Sequence, residues 1–138
     1  MANVLIAEDD EDIAFIVMRL VRRAGHIGHH AADGVAALER AEQIRPDLVV
    51  TDLGMPRMDG FQLTRAIREH WDLRDTPVAV LTGSLVPGDP RAPAAAVCAL
   101  LLKPCDNETL IAVINRLTDL GPHDHSDVPS RCPFSDDA

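Results

Sequence analysis

Polar side chains that can do chemistry stand at or just after the ends of four short apolar runs of this sequence. They are Glu8, Asp9 and Asp10 after the run at 4–7, Asp52 after the run at 48–50, Thr82 after the run at 78–81, and Lys103 after the run at 100–102. Two carboxylates about 5 Å apart repel each other by about 3 kcal/mol at an effective dielectric of about 20, and a bound cation removes that repulsion. Hard oxygen ligands select Mg²⁺, Mn²⁺ or Ca²⁺ over zinc, and few protein ligands with open positions favour Mg²⁺. The sequence therefore predicts a magnesium site if these acids lie together.

The same groups could carry out phosphoryl transfer. A carboxylate beside Mg²⁺ can attack a phosphoryl group and form an acyl phosphate, while a lysine neutralises its oxygens and a hydroxyl donates to another oxygen. Asp52, Lys103 and Thr82 would supply those parts. The alternative interpretation is that Asp9, Asp10 and Asp12 only cap the first helix, that Asp52 caps a turn and that Lys103 is solvated. Because that alternative requires several independent coincidences at one place, we favour the chemical interpretation.

Apolar runs of strand length alternate along the chain with segments of helical periodicity. The predicted strands are 4–7, 26–31, 48–50, 78–81 and 100–102, with the weak second strand at an edge of the sheet. The first predicted helix carries the apolar stripe Ile13, Ile16, Val17, Leu20 and Val21 and ends at Gly25. The other helices begin at the caps Asp33 and Asp106 or run from about 61 to 71, with Trp71 packed in the core or at the helix end.

Strands that are apolar throughout indicate burial on both faces of the sheet. We therefore expect an α/β fold, a three-layer α/β/α sandwich with a parallel sheet and right-handed crossovers. All strands of such a sheet point the same way, so the residues that follow them gather along one edge, where open α/β folds bind ligands. The topology would thus bring the acids, the hydroxyl and the amine together.

Length and charge limit the possible functions. The chain has 138 residues, 46% of them hydrophobic, and a formal net charge of −9. We expect one domain over residues 1–118, and a polar, disordered acidic tail over 119–138. The negative charge, without a basic cluster, argues against direct binding to nucleic acid or to an anionic membrane. The apolar run at 4–7 is too short for a signal peptide or a membrane span, so a cytoplasmic location is expected.

The cysteines and histidines indicate no further site. Three cysteines without a C-x-x-C pair fit reduced thiols better than disulfides or a zinc site. The histidines His26, His29 and His30 lie on the weak second strand, where we interpret them as solvated surface rather than as metal ligands.

Four segments together resemble a known family. "VLIAEDDED", "DLVVTDLGMPRMDG", "PVAVLTGS" and "LLLKP", in this order and spacing, resemble the receiver domain of two-component response regulators over residues 1–118. The resemblance implies a flavodoxin-like fold with strand order 2-1-3-4-5. It also implies a signalling phosphoprotein that accepts a phosphoryl group on Asp52 from a histidine kinase or a phosphotransfer protein and acts on an unknown downstream protein.

By matched position, the resemblance assigns roles to individual residues. Asp9, Asp52 and the backbone carbonyl of Gly54 would bind Mg²⁺ or Mn²⁺, Glu8 would act through water, and Asp10 would be a spare acid. Thr82 matches the switch hydroxyl, and Lys103 matches the lysine of the family, whose bond to Pro104 would be cis. Such a protein is not an enzyme acting on other substrates, but a phosphoacceptor that catalyses its own phosphorylation and slow dephosphorylation.

The sequence also departs from the family pattern. Leu100 stands where receivers usually carry the aromatic residue whose rotamer reports phosphorylation, and the proline-rich stretch 85–97 replaces the fourth crossover helix. Gly54 and Ser84 stand where other receivers often place side chains that orient the hydrolytic water. We therefore expect the phosphorylated form to decay slowly.

Two other functions compete with a phosphorylatable receiver. An aspartate-dependent phosphatase would need a second acid two residues after its nucleophile, and position 54 is glycine. A receiver-like module that binds proteins without phosphorylation would not need Asp9, Asp52, Thr82 and Lys103 together. With no output domain in the chain, we expect the effect to pass through a partner protein.

Overall fold

The structure is a computed structural model that describes residues 2–55, 57–82, 99–102 and 107–120. Its strands are β1 (Asn3–Ala7), β2 (Ile27–Ala31), β3 (Leu48–Asp52), β4 (Val78–Thr82) and β5 (Ala99–Leu102). Its helices are α1 (Glu11–Arg23), α2 (Gly34–Ile44), α3 (Gly60–Glu69) and α4 (Asn107–Leu120). Within these ranges, no helix is long and apolar enough to cross a membrane.

Side-chain caps determine where the first three helices begin. Asp10 accepts hydrogen bonds from the backbone N–H groups of Asp12 and Ile13, and so caps α1. Asp33 caps α2 through the N–H of Ala36. At α3, Asp59 and Gln62 form a reciprocal capping box. These caps follow strands at the same edge of the sheet, so they fix the entry of each helix beside the candidate site.

The strands form one parallel sheet in the predicted order, β2-β1-β3-β4-β5. β2 lies at one edge of the sheet, as its weak apolar pattern indicated. The register pairs Ala7 with Thr51 between β1 and β3, and Asp52 with Leu81 between β3 and β4. The carboxyl ends of these three strands therefore meet, and the predicted fold class is confirmed.

The core lies on both faces of the sheet. One cluster packs the sheet against α2 and α3, with Leu5, Val49, Val80, Ala37, Ala41, Leu63 and Ile67 among its buried members. The other packs the sheet against α1 and α4, with Val4, Ile6, Val50, Val17, Val21, Ile114 and Leu117 among its members. Successive strand residues point to opposite faces, so continuous apolar strands serve two cores at once.

Two predictions about single apolar side chains are wrong. Trp71 is 78% exposed, because α3 ends at Glu69 and the chain leaves the helical conformation at His70, whose N–H still bonds to Ala66 and Ile67. Ile16 is 52% exposed, because the buried face of α1 is centred on Ala14, Val17, Leu20 and Val21. Ile16 lies at the margin of that face.

The second-strand histidines lie at the surface, as predicted, with His30 exposed and His26 and His29 half-buried, but their rings also make hydrogen bonds. Nδ1 of His26 accepts the N–H of Ala2 at 3.1 Å, and its Nε2 donates to Oδ1 of Asn115 at 3.0 Å. His29 contacts Asn3, and His30 contacts the backbone of Glu8. Each ring joins β2, or the residue just before it, to a neighbouring segment, and the apolar pattern of the sequence does not reveal these contacts.

Several predictions fall outside the described residues. They concern the proline-rich stretch 85–97, the cap Asp106, the bond between Lys103 and Pro104, and the tail from residue 121 onward. The last helix runs to Leu120, two residues past the predicted end of the domain. The division into a domain at 1–118 and a disordered tail stays a prediction.

Candidate functional site

Three carboxylates meet at the carboxyl edge of the sheet. Glu8, Asp9 and Asp52 each place a carboxylate oxygen within 4.8 Å of those of the other two. Glu8 is buried with 3% exposure, Asp52 is half-buried and Asp9 is exposed. The cluster is therefore anchored in the protein on one side and open to solvent on the other.

Glu8 is held through both its backbone and its side chain. Its N–H donates to the carbonyl of Ala31 at 3.0 Å, and its own carbonyl accepts from Nε2 of His30 at 2.8 Å. Oε1 of Glu8 accepts the N–H of Asp10 at 3.1 Å. Since β1 is thus tied to the end of β2, the acidic loop has a defined position before any ligand binds.

Asp10 differs from its two neighbours in what its side chain does. Oδ1 accepts from the N–H groups of Asp12 at 2.9 Å and Ile13 at 3.2 Å. A carboxylate at this position also interacts favourably with the positive end of the helix dipole. The capping interpretation thus applies to Asp10, whereas the side chains of Glu8 and Asp9 lie with that of Asp52.

Asp52 ends β3 and begins a tight loop. The hydroxyl of Thr51 donates to the carbonyl of Asp52 at 2.8 Å, and the N–H of Gly60 donates to the carbonyl of Leu53 at 2.8 Å, which closes the loop over 54–59. A Cβ on Gly60 would lie 2.5 Å from the carbonyl oxygen of Asp52. A glycine is therefore needed at position 60 because two backbone segments approach each other closely there.

Gly54, two residues after Asp52, faces open space. A Cβ at this position would meet no atom within 4 Å. Gly54 is exposed, so solvent reaches this part of the loop. No side chain from position 54 shields the acids.

Thr82 and Lys103 can be placed only in part. Thr82 ends β4 and pairs with Leu102, the last residue of β5, but its side chain is not among those described. Lys103 lies outside the described residues altogether. Their predicted roles remain predictions.

The donor set at this edge fits a hard divalent cation. Two unit charges at 4.8 Å repel by about 3 kcal/mol at an effective dielectric of about 20, and binding a cation relieves that repulsion. Carboxylate and carbonyl oxygens suit Mg²⁺ and Mn²⁺, whereas a zinc site would use nitrogen or sulfur ligands. An exposed acid beside a buried one also leaves room for water in an octahedral shell.

A known family matches most of this sequence. Residues 4–115 match the family model described as "Response regulator receiver domain". The chain belongs to the receiver domain family. This confirms the resemblance carried by the four sequence segments, and with it membership in the response regulators of two-component systems.

Known proteins similar to this receiver domain include both longer and similarly sized chains. RpaA of Synechocystis sp., a DNA-binding dual master transcriptional regulator, is 30% identical over 98% of this chain, which spans 58% of the length of RpaA. The chemotaxis protein CheY4 of Vibrio cholerae is 33% identical, with a TM-score of 0.80 over 85% of this chain and 98% of CheY4.

A third similar protein was crystallised with a metal. The receiver domain of the sensor histidine kinase PA1611 from Pseudomonas aeruginosa PAO1 is 28% identical, with a TM-score of 0.78 over 86% of this chain and 98% of that one. A magnesium ion is coordinated in the active site cleft of PA1611.

Sequence reasoning missed one contact next to the site. Nη2 of Arg57, in the loop after β3, lies 2.7 Å from Oδ2 of Asp33, the cap of α2. We predicted Asp33 only as a cap, and nothing in the spacing of residues 33 and 57 signals a contact between them. The pair became visible only once the sheet order placed α2 beside this loop.

Proposed function

We propose that this receiver domain accepts a phosphoryl group on Asp52 and transmits a signal, or the phosphoryl group itself, through contacts with other proteins. The carboxylate cluster carries the proposal, because it places the matched acceptor within 4.8 Å of two further acids in a chain of the receiver family. Phosphoryl transfer needs little covalent chemistry from the protein beyond positioning and charge stabilisation. The cluster positions the acceptor, and a cation held by its acids would supply the charge stabilisation.

We assign the metal ligands as Asp9, Asp52 and the backbone carbonyl of Gly54, with Glu8 acting through water. Bound Mg²⁺ or Mn²⁺ would offset the charge of the acids and of the phosphoryl oxygens. The magnesium ion in the cleft of the PA1611 receiver supports the choice of metal. The burial of Glu8 supports its indirect role, since the exposed Asp9 faces the open side of the cluster.

The transfer step exchanges one bond to phosphorus for another. An oxygen of Asp52 attacks the phosphorus of a phosphohistidine, the P–N bond breaks, and its electron pair stays on the imidazole nitrogen, which then takes up a proton from solvent. The amine of Lys103 would pair with a phosphoryl oxygen, and the hydroxyl of Thr82 would donate to another. Later attack by water returns inorganic phosphate and the free carboxylate, so the domain catalyses its own slow dephosphorylation.

The donor is a histidine kinase or a histidine phosphotransfer protein, and it has to approach the open side of the cluster. The first turns of α1 present Phe15, 63% exposed, and Ile16, 52% exposed, directly after the acidic loop. Apolar side chains at the rim of a site are suited to a protein partner. We place these encounters in the cytoplasm, because an odd number of cysteines fits a reducing compartment.

A mass measurement distinguishes this function from its two competitors. The protein is incubated with Mg²⁺ and acetyl phosphate, and the intact chain is weighed. A receiver gains one acid-stable, base-labile phosphoryl group, and Asp52→Asn abolishes the gain. Consumption of the donor without accumulation on the protein would indicate a phosphatase, and neither event would indicate a binding module that is not phosphorylated.

A second experiment tests the proposed partner surface. Phe15→Ala should slow transfer from a phosphorylated histidine phosphotransfer protein that serves as donor, and leave the rate with acetyl phosphate unchanged. Ile27 provides the control, because it is 46% exposed and begins β2, at the amino ends of the strands and away from the acids. An equal effect of Ile27→Ala would contradict the proposed surface.

A further inference from the structure

Asp33 has two partners, and one of them belongs to the loop that carries Gly54. Its Oδ1 accepts the N–H of Ala36 at 2.8 Å, and its Oδ2 pairs with Nη2 of Arg57 at 2.7 Å. The hydrogen bond from Ala36, followed by that from Arg57, holds the pKa of Asp33 below its usual value. The ionised carboxylate therefore connects the start of α2 to the loop between β3 and α3.

Arg57 has a backbone conformation that needs support. Its φ is +68°, in the left-handed region that side-chain-bearing residues rarely adopt. The arginine side chain is 60% exposed, whereas that of Asp33 is 16% exposed. An exposed, strained residue is held in place by the contacts of its side chain, and here that contact is the pair with Asp33.

The next residue reinforces the same junction. A Cβ on Gly34 would lie 2.5 Å from the carbonyl oxygen of Met58, so the loop backbone rests directly on the first residue of α2. The loop is also closed by the hydrogen bond from Gly60 to Leu53. Gly54 belongs to this loop and has no side chain that could fix its position.

We propose that the ion pair between Arg57 and Asp33 positions the loop after β3, so that the carbonyl of Gly54 is presented to the metal. The proposal rests on the proposed function, since it assumes that Mg²⁺ binds at this edge. Arg57 and Asp33 touch neither the metal nor the phosphoryl group, so they are positioning residues. They would act on the orientation of the Gly54 carbonyl, because glycine has no side chain whose contacts could hold its backbone.

The chain contains a matched control for Arg57. Arg45 also has a positive φ, +48°, and also pairs with an aspartate, with its Nη2 3.3 Å from Oδ2 of Asp72. It follows α2 at the opposite edge of the sheet from the acids. The two arginines thus share backbone strain, exposure and an ion pair, and differ in their distance from the site.

The experiment measures Mg²⁺ affinity by calorimetry for the wild-type chain and for Arg57→Gln, Arg57→Lys, Asp33→Asn and Arg45→Gln. Asparagine also caps helices, so Asp33→Asn removes the charge and keeps the cap. We expect Arg57→Gln and Asp33→Asn each to weaken Mg²⁺ binding about tenfold, at the lower end of what outer partners of metal ligands contribute. Arg57→Lys should restore part of the loss, Arg45→Gln should bind as wild type does, and the double variant Asp33→Asn/Arg57→Gln should be no weaker than either single one.

A second readout needs no metal. Amide hydrogen exchange without Mg²⁺ should be faster in the loop over 53–58 in both weakened variants, with exchange in the strands unchanged. Wild-type affinity and exchange in Arg57→Gln, or an equal loss in Arg45→Gln, would overturn this inference and leave the proposed function intact. Absence of Mg²⁺ binding by the wild-type chain would overturn both.

Discussion

Replacing Gly60 with alanine should destabilise the domain and distort the acceptor at the same time. In most helices this change is favourable, by about 0.5–1 kcal/mol, because glycine loses more backbone freedom on folding. Here the new Cβ would lie 2.5 Å from the carbonyl oxygen of Asp52 and 3.0 Å from Cα of Leu53. Both atoms belong to the backbone, so no flexible side chain can move aside.

The steric effect should outweigh the gain in helix propensity. Forcing extra atoms into a packed region costs about 1–3 kcal/mol, so we expect the free energy of unfolding of Gly60→Ala to fall by about 2 kcal/mol. With a urea dependence of about 2 kcal/mol per molar for a domain of this size, the unfolding midpoint should fall by about 1 M. Because the strained contact is the carbonyl of Asp52 itself, the initial rate of phosphorylation by acetyl phosphate should also fall.

Gly54→Ala is the matched control for this prediction. A Cβ at position 54 would meet nothing within 4 Å, so the midpoint of this variant should stay close to that of the wild type. Urea unfolding followed by circular dichroism gives both midpoints. Equal stability of Gly60→Ala and Gly54→Ala would refute the argument that the backbone of α3 and the end of β3 are in direct contact.

Three further predictions concern the acids and the open position beside them. Asp10→Ala should lower the free energy of unfolding by about 1 kcal/mol, as the loss of a helix cap does, with little change in Mg²⁺ affinity. Asp9→Asn should weaken Mg²⁺ binding with little change in stability. The reverse pattern would show that the two residues have each other's roles. Because folding lowers the pKa of Asp33, its ionised carboxylate should stabilise the fold at pH values above 3.8, the pKa of the unfolded chain. The difference in unfolding free energy between wild type and Asp33→Asn, measured by urea unfolding, should vanish as the pH falls through the pKa of the folded state. A difference that persists in acid would contradict this prediction. Since no side chain at Gly54 can orient water, the phosphorylated form should persist for many minutes in Mg²⁺, and a lifetime of seconds by intact mass would contradict that expectation.

The sequence was sufficient for the fold because its signals are local and repeated. Continuous apolar strands, the helix cap Asp33 and the glycine after α1 all indicate the same alternation, and each is found in the structure. The grouping of Glu8, Asp9 and Asp52 also followed from the sequence, since parallel strands must end at one edge. The parallel arrangement of the strands was sufficient for most of that prediction.

The contacts that escaped prediction join residues far apart in the chain. The pairing of Arg57 with Asp33 spans 24 positions, and that of His26 with Asn115 spans 89. Neither has a periodic pattern, and both depend on how helices and loops pack beside the sheet. The exposure of Trp71 was mispredicted for a related reason, because a helix boundary that shifts by two residues changes what a side chain faces.

The position of the phosphoryl group tests the central claim most directly. The chain is phosphorylated with acetyl phosphate and Mg²⁺, reduced with borohydride so that an acyl phosphate becomes a stable alcohol, and mapped by peptide mass spectrometry. Reduction at residue 52 alone, dependent on Mg²⁺, is the predicted result. Reduction at residue 8 or 9, or at no carboxylate of the cluster, would contradict the account.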